Sequence, residues 1–190
     1  MKIVIIDNFD SFTYNLVHIC EQFTDNVHVI RYNKVDVDKL IIYDKIILSP
    51  GPGLPSDLVK LYAIIEKYSP SKAILGICLG HQSIAEFFGA KLVNLNTVDH
   101  GIQKNTIVTD ENELLFNDVP RKFLSGRYHS WAVSEKNFPN TLRITAIDKK
   151  NIIMGISHKN LNVKGLQFHP ESIMTSFGKQ ILKNWLLNSC

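Results

Sequence analysis

Apolar and polar positions follow two different rhythms along this chain. In the first half, the short aliphatic run Lys2–Ile6 reads as a buried parallel strand, and Val27–Ile30, Lys45–Leu48 and Ala73–Ile77 read as the strands that follow it. Helical spacing fills the intervals. Phe12, Leu16, Ile19, Cys20 and Phe23 mark one helix, and Leu58, Leu61, Ile65 and Tyr68 a second. A third carries Ile84, Phe87 and Phe88 and stops before Gly89. Strand, helix, strand in this order predicts an open parallel sheet with helices on both faces. The second half is richer in β signals, at Lys91–Val93, Arg121–Tyr128, Leu142–Ile147, Ile152–Ser157 and Val163–Phe168, which predict added antiparallel strands. Ile173, Phe177, Ile181 and Trp185 lie four apart and predict a closing helix. Asn94–Lys104 and Asp148–Asn151 read as surface loops. With no internal repeat and no linker, residues 1–190 are expected to form one α/β domain around an open, mostly parallel, flavodoxin-like sheet.

Composition narrows the class. A chain of 190 residues with 45% hydrophobic and 21% charged residues is ordinary for a globular domain, which excludes disorder as the main reading. The net charge of +3 is spread over both signs with no long basic run, so nucleic acid is not an expected partner. No apolar run approaches the roughly 18 residues of a membrane span. Ile3–Ile6 is too short before Asp7 for a signal-peptide core, so a cytoplasmic location is expected. Cys20, Cys78 and Cys190 form no CxxC pair, which argues against a disulfide framework and a metal site.

The richest segment in chemistry is Gly76-Ile77-Cys78-Leu79-Gly80, an apolar strand running into G-x-C-x-G and then a helix. It is the sulfur counterpart of the G-x-S-x-G nucleophile turn. A sharp strand-to-helix turn needs small residues on either side, and the helix start aims free N–H groups at Cys78, a placement that favours a thiolate. Cys20 on its helix and Cys190 at the chain end read as structural. A cysteine nucleophile needs a base and a group to orient it. Gln167-Phe168-His169-Pro170-Glu171 supplies both, because residues two apart on an extended chain point the same way. Taken alone, His169 and Glu171 read better as a surface pair near a helix start; taken with the Cys78 turn, the pairing is what acyl transfer requires. His18, His28 and His158 read as residues of a helix, a strand and a polar loop, and His81 and His100 have no assigned role. Ser49-Pro50-Gly51-Pro52-Gly53 follows the third strand. Its glycines let backbone N–H groups come close to a ligand, so the N–H of Gly51, with that of Leu79, is a candidate oxyanion hole.

Together these segments resemble the class-I, triad-type glutamine amidotransferases. More narrowly, the chain resembles the glutaminase components of two chorismate-using synthases, those making anthranilate and aminodeoxychorismate. The resemblance runs over essentially the whole chain. It rests on Asp7-Asn8-Phe9-Asp10-Ser11-Phe12-Thr13-Tyr14-Asn15, the Ser49–Gly53 loop, Gly76–Gln82, Gly126-Arg127-Tyr128-His129-Ser130 and Gln167–Ser172. It implies that Cys78 attacks the carboxamide of glutamine, His169 carries the proton and Glu171 orients it. It also implies an oxyanion hole at Gly51 and Leu79. Glutamine would be held by Gly51, Pro52, Gly53, Gln82 and the backbone of Ser130 and Trp131. Trp131 stands where the family more often has a leucine-like residue. Asp7–Thr13 would support the site or face a partner, while Asp10 or Ser11 could equally cap a helix.

The resemblance further implies no cofactor on this chain. It implies a heterodimer or heterotetramer with a chorismate-using, magnesium-dependent component I that receives the ammonia. Tryptophan synthesis is the expected branch, with the p-aminobenzoate branch, or service to both, as the alternative. A free-standing peptidase or γ-glutamyl hydrolase, or a flavodoxin-like cysteine sensor, are the remaining readings. Gln82 and Tyr128-His129-Ser130 count against the hydrolases. A sensor would not need His169, Glu171 and the Pro/Gly loop together.

Overall fold

The computed structural model describes residues 1–188, apart from the side chains of residues 96–99. Cys190 therefore lies outside the described residues. Strands β1 (Ile3–Asp7), β2 (Val27–Arg31), β3 (Lys45–Leu48), β4 (Ala73–Ile77), β5 (Leu92–Val108), β6 (Lys122–Val133), β7 (Leu142–Ile147), β8 (Ile153–His158) and β9 (Val163–Leu166) share one sheet. Its order is β2-β1-β3-β4-β9-β8-β7-β5-β6. Pairings from β2 through β9 are parallel, and those from β9 through β6 are antiparallel. Among the described residues four α-helices accompany the sheet: α1 (Thr13–Cys20), α2 (Val59–Tyr68), α3 (Leu79–Phe87) and α4 (Gly178–Asn188).

The period of two along each strand decides which helix covers which face. Ile3 and Ile5 of β1, with Leu75 and Ile77 of β4, pack against Leu16 and Cys20 of α1 and Ile181 and Trp185 of α4. Val4 and Ile6, with Ile74, face the other way, against Leu61 and Ile65 of α2 and Ile84 of α3. Each such fully buried side chain contributes about 1.5–3 kcal/mol. Lys45 is buried at the start of β3, and its Nζ donates to the carbonyls of Trp185 (3.0 Å) and Leu186 (2.8 Å). An ammonium there satisfies carbonyls near the end of α4 and ties that helix to the sheet.

Three local expectations are corrected. Asn94–Lys104 is not a loop but the middle of β5, paired along β6 with shifts of register. This long two-stranded arm is only partly buried, so it carries no apolar run to announce a strand. The closing helix begins at Gly178, and Ile173 is 100% exposed in the turns before it. Those turns are tied by Ser172 N–H to His169 O (3.3 Å) and Thr175 N–H to Ser172 O (2.9 Å). The four-residue spacing of Ile173 and Phe177 is therefore coincidental, and Glu171 is not in a first helical turn. His158 closes β8 instead of lying in a loop; its Nδ1 accepts from the N–H groups of Asn160 and Leu161. Among the described residues no helix is long and apolar enough to cross a membrane.

His81 of α3 is fully buried against Gly165 of β9, where an added Cβ would lie 2.7 Å from its Nδ1. Burial, helped by the charge of His129, pushes the His81 pKa down to about 3. The folded value lies below the unfolded one, so His81 contributes stability that is complete above about pH 6.5 and lost as the pH falls toward 3. Urea unfolding between pH 7 and 4 should show wild type losing more stability than His81→Gln. The difference should approach about 1.4 kcal/mol per pH unit. Parallel losses in the two proteins would contradict this.

Candidate active site

β4 ends at Ile77 and α3 begins at Leu79, leaving Cys78 to make the whole turn at φ 50° and ψ −101°. Its N–H donates to Leu166 O (2.7 Å) and its carbonyl accepts from Gln82 N–H (3.0 Å). The flanking glycines make the turn possible. A Cβ on Gly76 would sit 2.4 Å from the Gly80 carbonyl, and one on Gly80 would sit 2.2 Å from Leu48 O. Helix α3 thus rests directly on the backbone of β3 and β4. A strained conformation of this kind costs about 1–3 kcal/mol and persists only because its surroundings enforce it. Cys78 is buried at the N-cap of α3, where the first N–H groups of the helix have no partner within the helix.

The chain leaves β9 and brings His169 and Glu171 beside this turn. His169 Nδ1 is 2.6 Å from Glu171 Oε1, and both side chains are buried. A carboxylate accepts, so Nδ1 donates and Nε2 is the nitrogen left for chemistry. Nε2 is itself buried with no regular hydrogen-bond partner. The segment is clamped by His169 N–H to Gly126 O (3.2 Å) and by Thr175 Oγ1 donating to His169 O (2.5 Å). Tyr128 and Phe12 present their rings edge-on to the imidazole, at 4.8 Å and 6.2 Å between centroids. Burial acts to lower the His169 pKa, but the negative charges and hydrogen bonds of Cys78 and Glu171 together outweigh it. The pKa is held well above the usual value. Burial raises the pKa of Asp10, against the opposing effects of the Phe12 N–H and the charge of His169.

Gly51, Pro52, Gly53, Cys78, Leu79, Gln82, Tyr128, His129, Ser130 and Trp131 line one open cleft of ≈ 160 Å³. The Pro/Gly loop is pinned from β1. Asn8 N–H donates to Ser49 Oγ (2.9 Å), Asn8 Nδ2 donates to Ser49 O (2.8 Å), and a Cβ on Gly51 would lie 2.5 Å from Asn8 O. Parallel strands β1, β3, β4 and β9 thus deliver their following loops to one edge of the sheet, the place where open α/β sheets bind ligands.

The structure brings every site residue expected from sequence into this region, with His169 and Glu171 buried beside the cleft instead of lining it. Two details are not foreseeable from sequence. The Trp131 carbonyl already receives Gln82 Nε2 (2.9 Å) and His129 Nδ1 (3.0 Å), so both its lone pairs are engaged by the protein. Phe12, not Asp10 or Ser11, occupies the N-cap of α1, while Asp10 Oδ1 accepts from Phe12 N–H (2.7 Å). Sequence reasoning assigns no site contact to Asn8, Phe12, Tyr128, His129 or Gln167. Each lies inside a recognisable motif, but no periodicity marks Tyr128 and His129 as lining the cleft or the other three as supporting it from behind. His100 reaches only the outer side of Tyr128, at 5.8 Å between rings.

A buried thiol at a helix start, coupled to an imidazole that a buried carboxylate orients, beside a cleft lined by the Gly51-Pro52-Gly53 loop and Leu79, can carry out acyl transfer through a thioester. Comparison with known proteins agrees with that chemistry. The family model for glutamine amidotransferase class-I matches residues 4–189. Anthranilate synthase component 2 of Pyropia yezoensis is 44% identical over 187 residues, covering 97% of this chain and 98% of the relative. Aminodeoxychorismate/anthranilate synthase component 2 of Bacillus subtilis is 37% identical over 186 residues, covering 97% and 95%. A solved Thermoplasma acidophilum structure, provisionally described as a GMP synthase component, shares the fold. Its TM-score is 0.88 at 24% identity, over 98% of this chain and 92% of that one.

Glu171 is one of the groups that hold His169 protonated, so Glu171→Gln should lower the pH at which the imidazole titrates. The proton NMR titration of His169 reads this directly. An unchanged titration would contradict the coupling.

Proposed function

The chain belongs to the class-I glutamine amidotransferases, and from that premise we propose that it is the glutaminase component of anthranilate synthase. Residues 1–190 act as one amidotransferase domain in the cytoplasm. The observation that carries the reading is the meeting of Cys78, the His169–Glu171 pair and the Gly51 loop at one cleft. The relatives' names and their near-complete overlap with this chain support the choice of partner.

In the proposed mechanism, an electron pair of the Cys78 sulfur attacks the carboxamide carbon of glutamine. The N–H groups of Gly51 and Leu79 stabilise the oxyanion, a contribution of about 2.7–4 kcal/mol for each such donor. His169 passes its proton to the departing nitrogen, the C–N bond breaks, and ammonia leaves a γ-glutamyl thioester. Water then gives a proton to His169 Nε2, attacks the thioester and releases glutamate, with the sulfur leaving as the thiolate and the thiolate–imidazolium pair restored. Glu171 holds Nδ1–H throughout. Gln82, Ser130, Trp131 and the Pro52-Gly53 turn hold the amino-acid end of glutamine. The Trp131 carbonyl is already occupied, so its contact with substrate comes from the rest of the residue. This chain needs no metal or organic cofactor for these steps. The ammonia goes to a chorismate-using component I, which holds the magnesium ion, in a heteromeric complex.

A second reading has specific support. The Bacillus subtilis relative is named for both aminodeoxychorismate and anthranilate synthesis, so a glutaminase shared between the two branches is the alternative.

With component I, chorismate and magnesium, Cys78→Ser should lower glutamine-driven product formation by at least about 10³-fold, while ammonia-driven formation continues. Wild-type glutamine use by the variant would overturn the mechanism. The product identifies the branch: anthranilate alone supports tryptophan synthesis, whereas aminodeoxychorismate, alone or with anthranilate, supports the alternative.

A further inference from the structure

One fully buried polar side chain in the site has no part in the mechanism above. Gln167 is 0% exposed, and its backbone N–H is fixed to Met154 O (2.9 Å) where the chain leaves β9. Its side chain joins a relay that runs from the wall of the cleft to the nucleophile. Gln82 Nε2 donates to Trp131 O (2.9 Å) and to Gln167 Oε1 (3.1 Å), and Gln167 Nε2 donates to Cys78 Sγ (3.6 Å). Each amide could in principle be turned over. Here the turn is decided by chemistry. A carbonyl oxygen only accepts, so Trp131 O fixes Gln82 with its nitrogen inward. That nitrogen must then meet the oxygen of Gln167, which leaves the Gln167 N–H₂ group facing the sulfur.

We propose that Gln167 is a further catalytic residue, whose amide donates to Cys78 Sγ, stabilises the negative charge the sulfur carries as a nucleophile and aims it at the cleft, with Gln82 and the Trp131 carbonyl as the positioning groups behind it. The proposal rests on Cys78 being the nucleophile. An N–H donor stabilises negative charge on sulfur. As the C–S bond forms, that charge moves to the substrate oxygen and the Gln167 bond weakens, so the amide does not hold the sulfur back once attack begins. Because Gln82 also faces the cleft, the occupant of the cleft and the state of the sulfur are linked through the two amides of Gln82 and Gln167.

The titratable groups around the sulfur are His169 with Glu171 after β9, Asp10 after β1, His129 on β6 and His81 on α3. The hydrogen bonds of the Gln167 side chain run to Gln82 and Cys78 and to none of these groups. The test is the pH dependence of Cys78 alkylation by iodoacetamide in the full chain, read by peptide mass spectrometry with and without glutamine.

Gln167→Met should move the midpoint of alkylation upward by about one pH unit, a roughly tenfold lower rate on the acid side. Assayed in the complex, it should lower kcat about tenfold with KM changed less than about twofold. Gln167→Glu, which replaces the donor by an anion, should move the midpoint further. Gln82→Met frees the Gln167 amide to turn over and should move it in the same direction by less. That variant keeps the test decisive if changes at Gln167 do not fold. A wild-type midpoint in folded Gln167→Met, with Cys78 still labelled and protected by glutamine, would overturn the role of Gln167 alone. Failure of glutamine to protect Cys78 in wild type would overturn the nucleophile assignment and this proposal with it.

Discussion

Cys78 holds φ 50° and ψ −101°, a backbone shape that an L-residue keeps only when its neighbours permit no other. Here the neighbours are backbone. Gly80 lies against the carbonyl of Leu48, Gly76 lies against the first turn of α3, and the N–H of Cys78 is bonded to Leu166 O. Relaxing the turn would pull α3 off two strands and break a bond to a third. The strain is therefore carried by the parallel half of the sheet, whose central strands β1, β3 and β4 are buried on both faces. The same close contact sets the direction of α3, and with it the positions of Leu79 and Gln82 at the cleft.

The rest of the site is arranged around that fixed point by elements far apart in sequence. Asn8, after β1, holds the Pro/Gly loop that follows β3. Gly126 and Thr175 hold the backbone of His169, and Glu171 holds its ring. Tyr128 of β6 closes over the imidazole. The antiparallel half of the sheet thus supplies one wall of the cleft, and the parallel half supplies the nucleophile and the loops at its edge. Burial would normally discharge an imidazole. Here Cys78 and Glu171 supply enough negative charge to keep it cationic, which readies His169 to protonate a leaving nitrogen.

The centre of the parallel half is legible in the sequence because both faces of β1, β3 and β4 are covered. Ile3–Ile6, Ile46–Leu48 and Ile74–Ile77 read as strands from their apolar runs alone, and Gly76 and Gly80 announce the turn between β4 and α3. Of the β5–β6 arm, the start of β5 and most of β6 are announced by Lys91–Val93 and Arg121–Tyr128, but the middle of β5 is not legible, because a strand only partly buried has no run of apolar residues to reveal it. Ile173 misleads for the opposite reason: an exposed isoleucine happens to fall at helical spacing ahead of Gly178. His169 and Glu171 are accessible through their two-residue spacing. Gln167 and Asn8 are not, because their roles depend on which side-chain atom meets which partner across the sheet, and no periodicity records that. The engaged carbonyl of Trp131 is hidden for the same reason.

The central claim is that this turn places one sulfur to form a covalent bond with the side-chain carbonyl of glutamine. Acid quenching of the complex during glutamine turnover, followed by peptide mapping, tests it most directly. The account predicts a γ-glutamyl adduct confined to the peptide containing Cys78, which forms before glutamate accumulates and disappears when glutamine is exhausted. Glutamate released with no adduct on that peptide, or with the adduct on another residue, would contradict it.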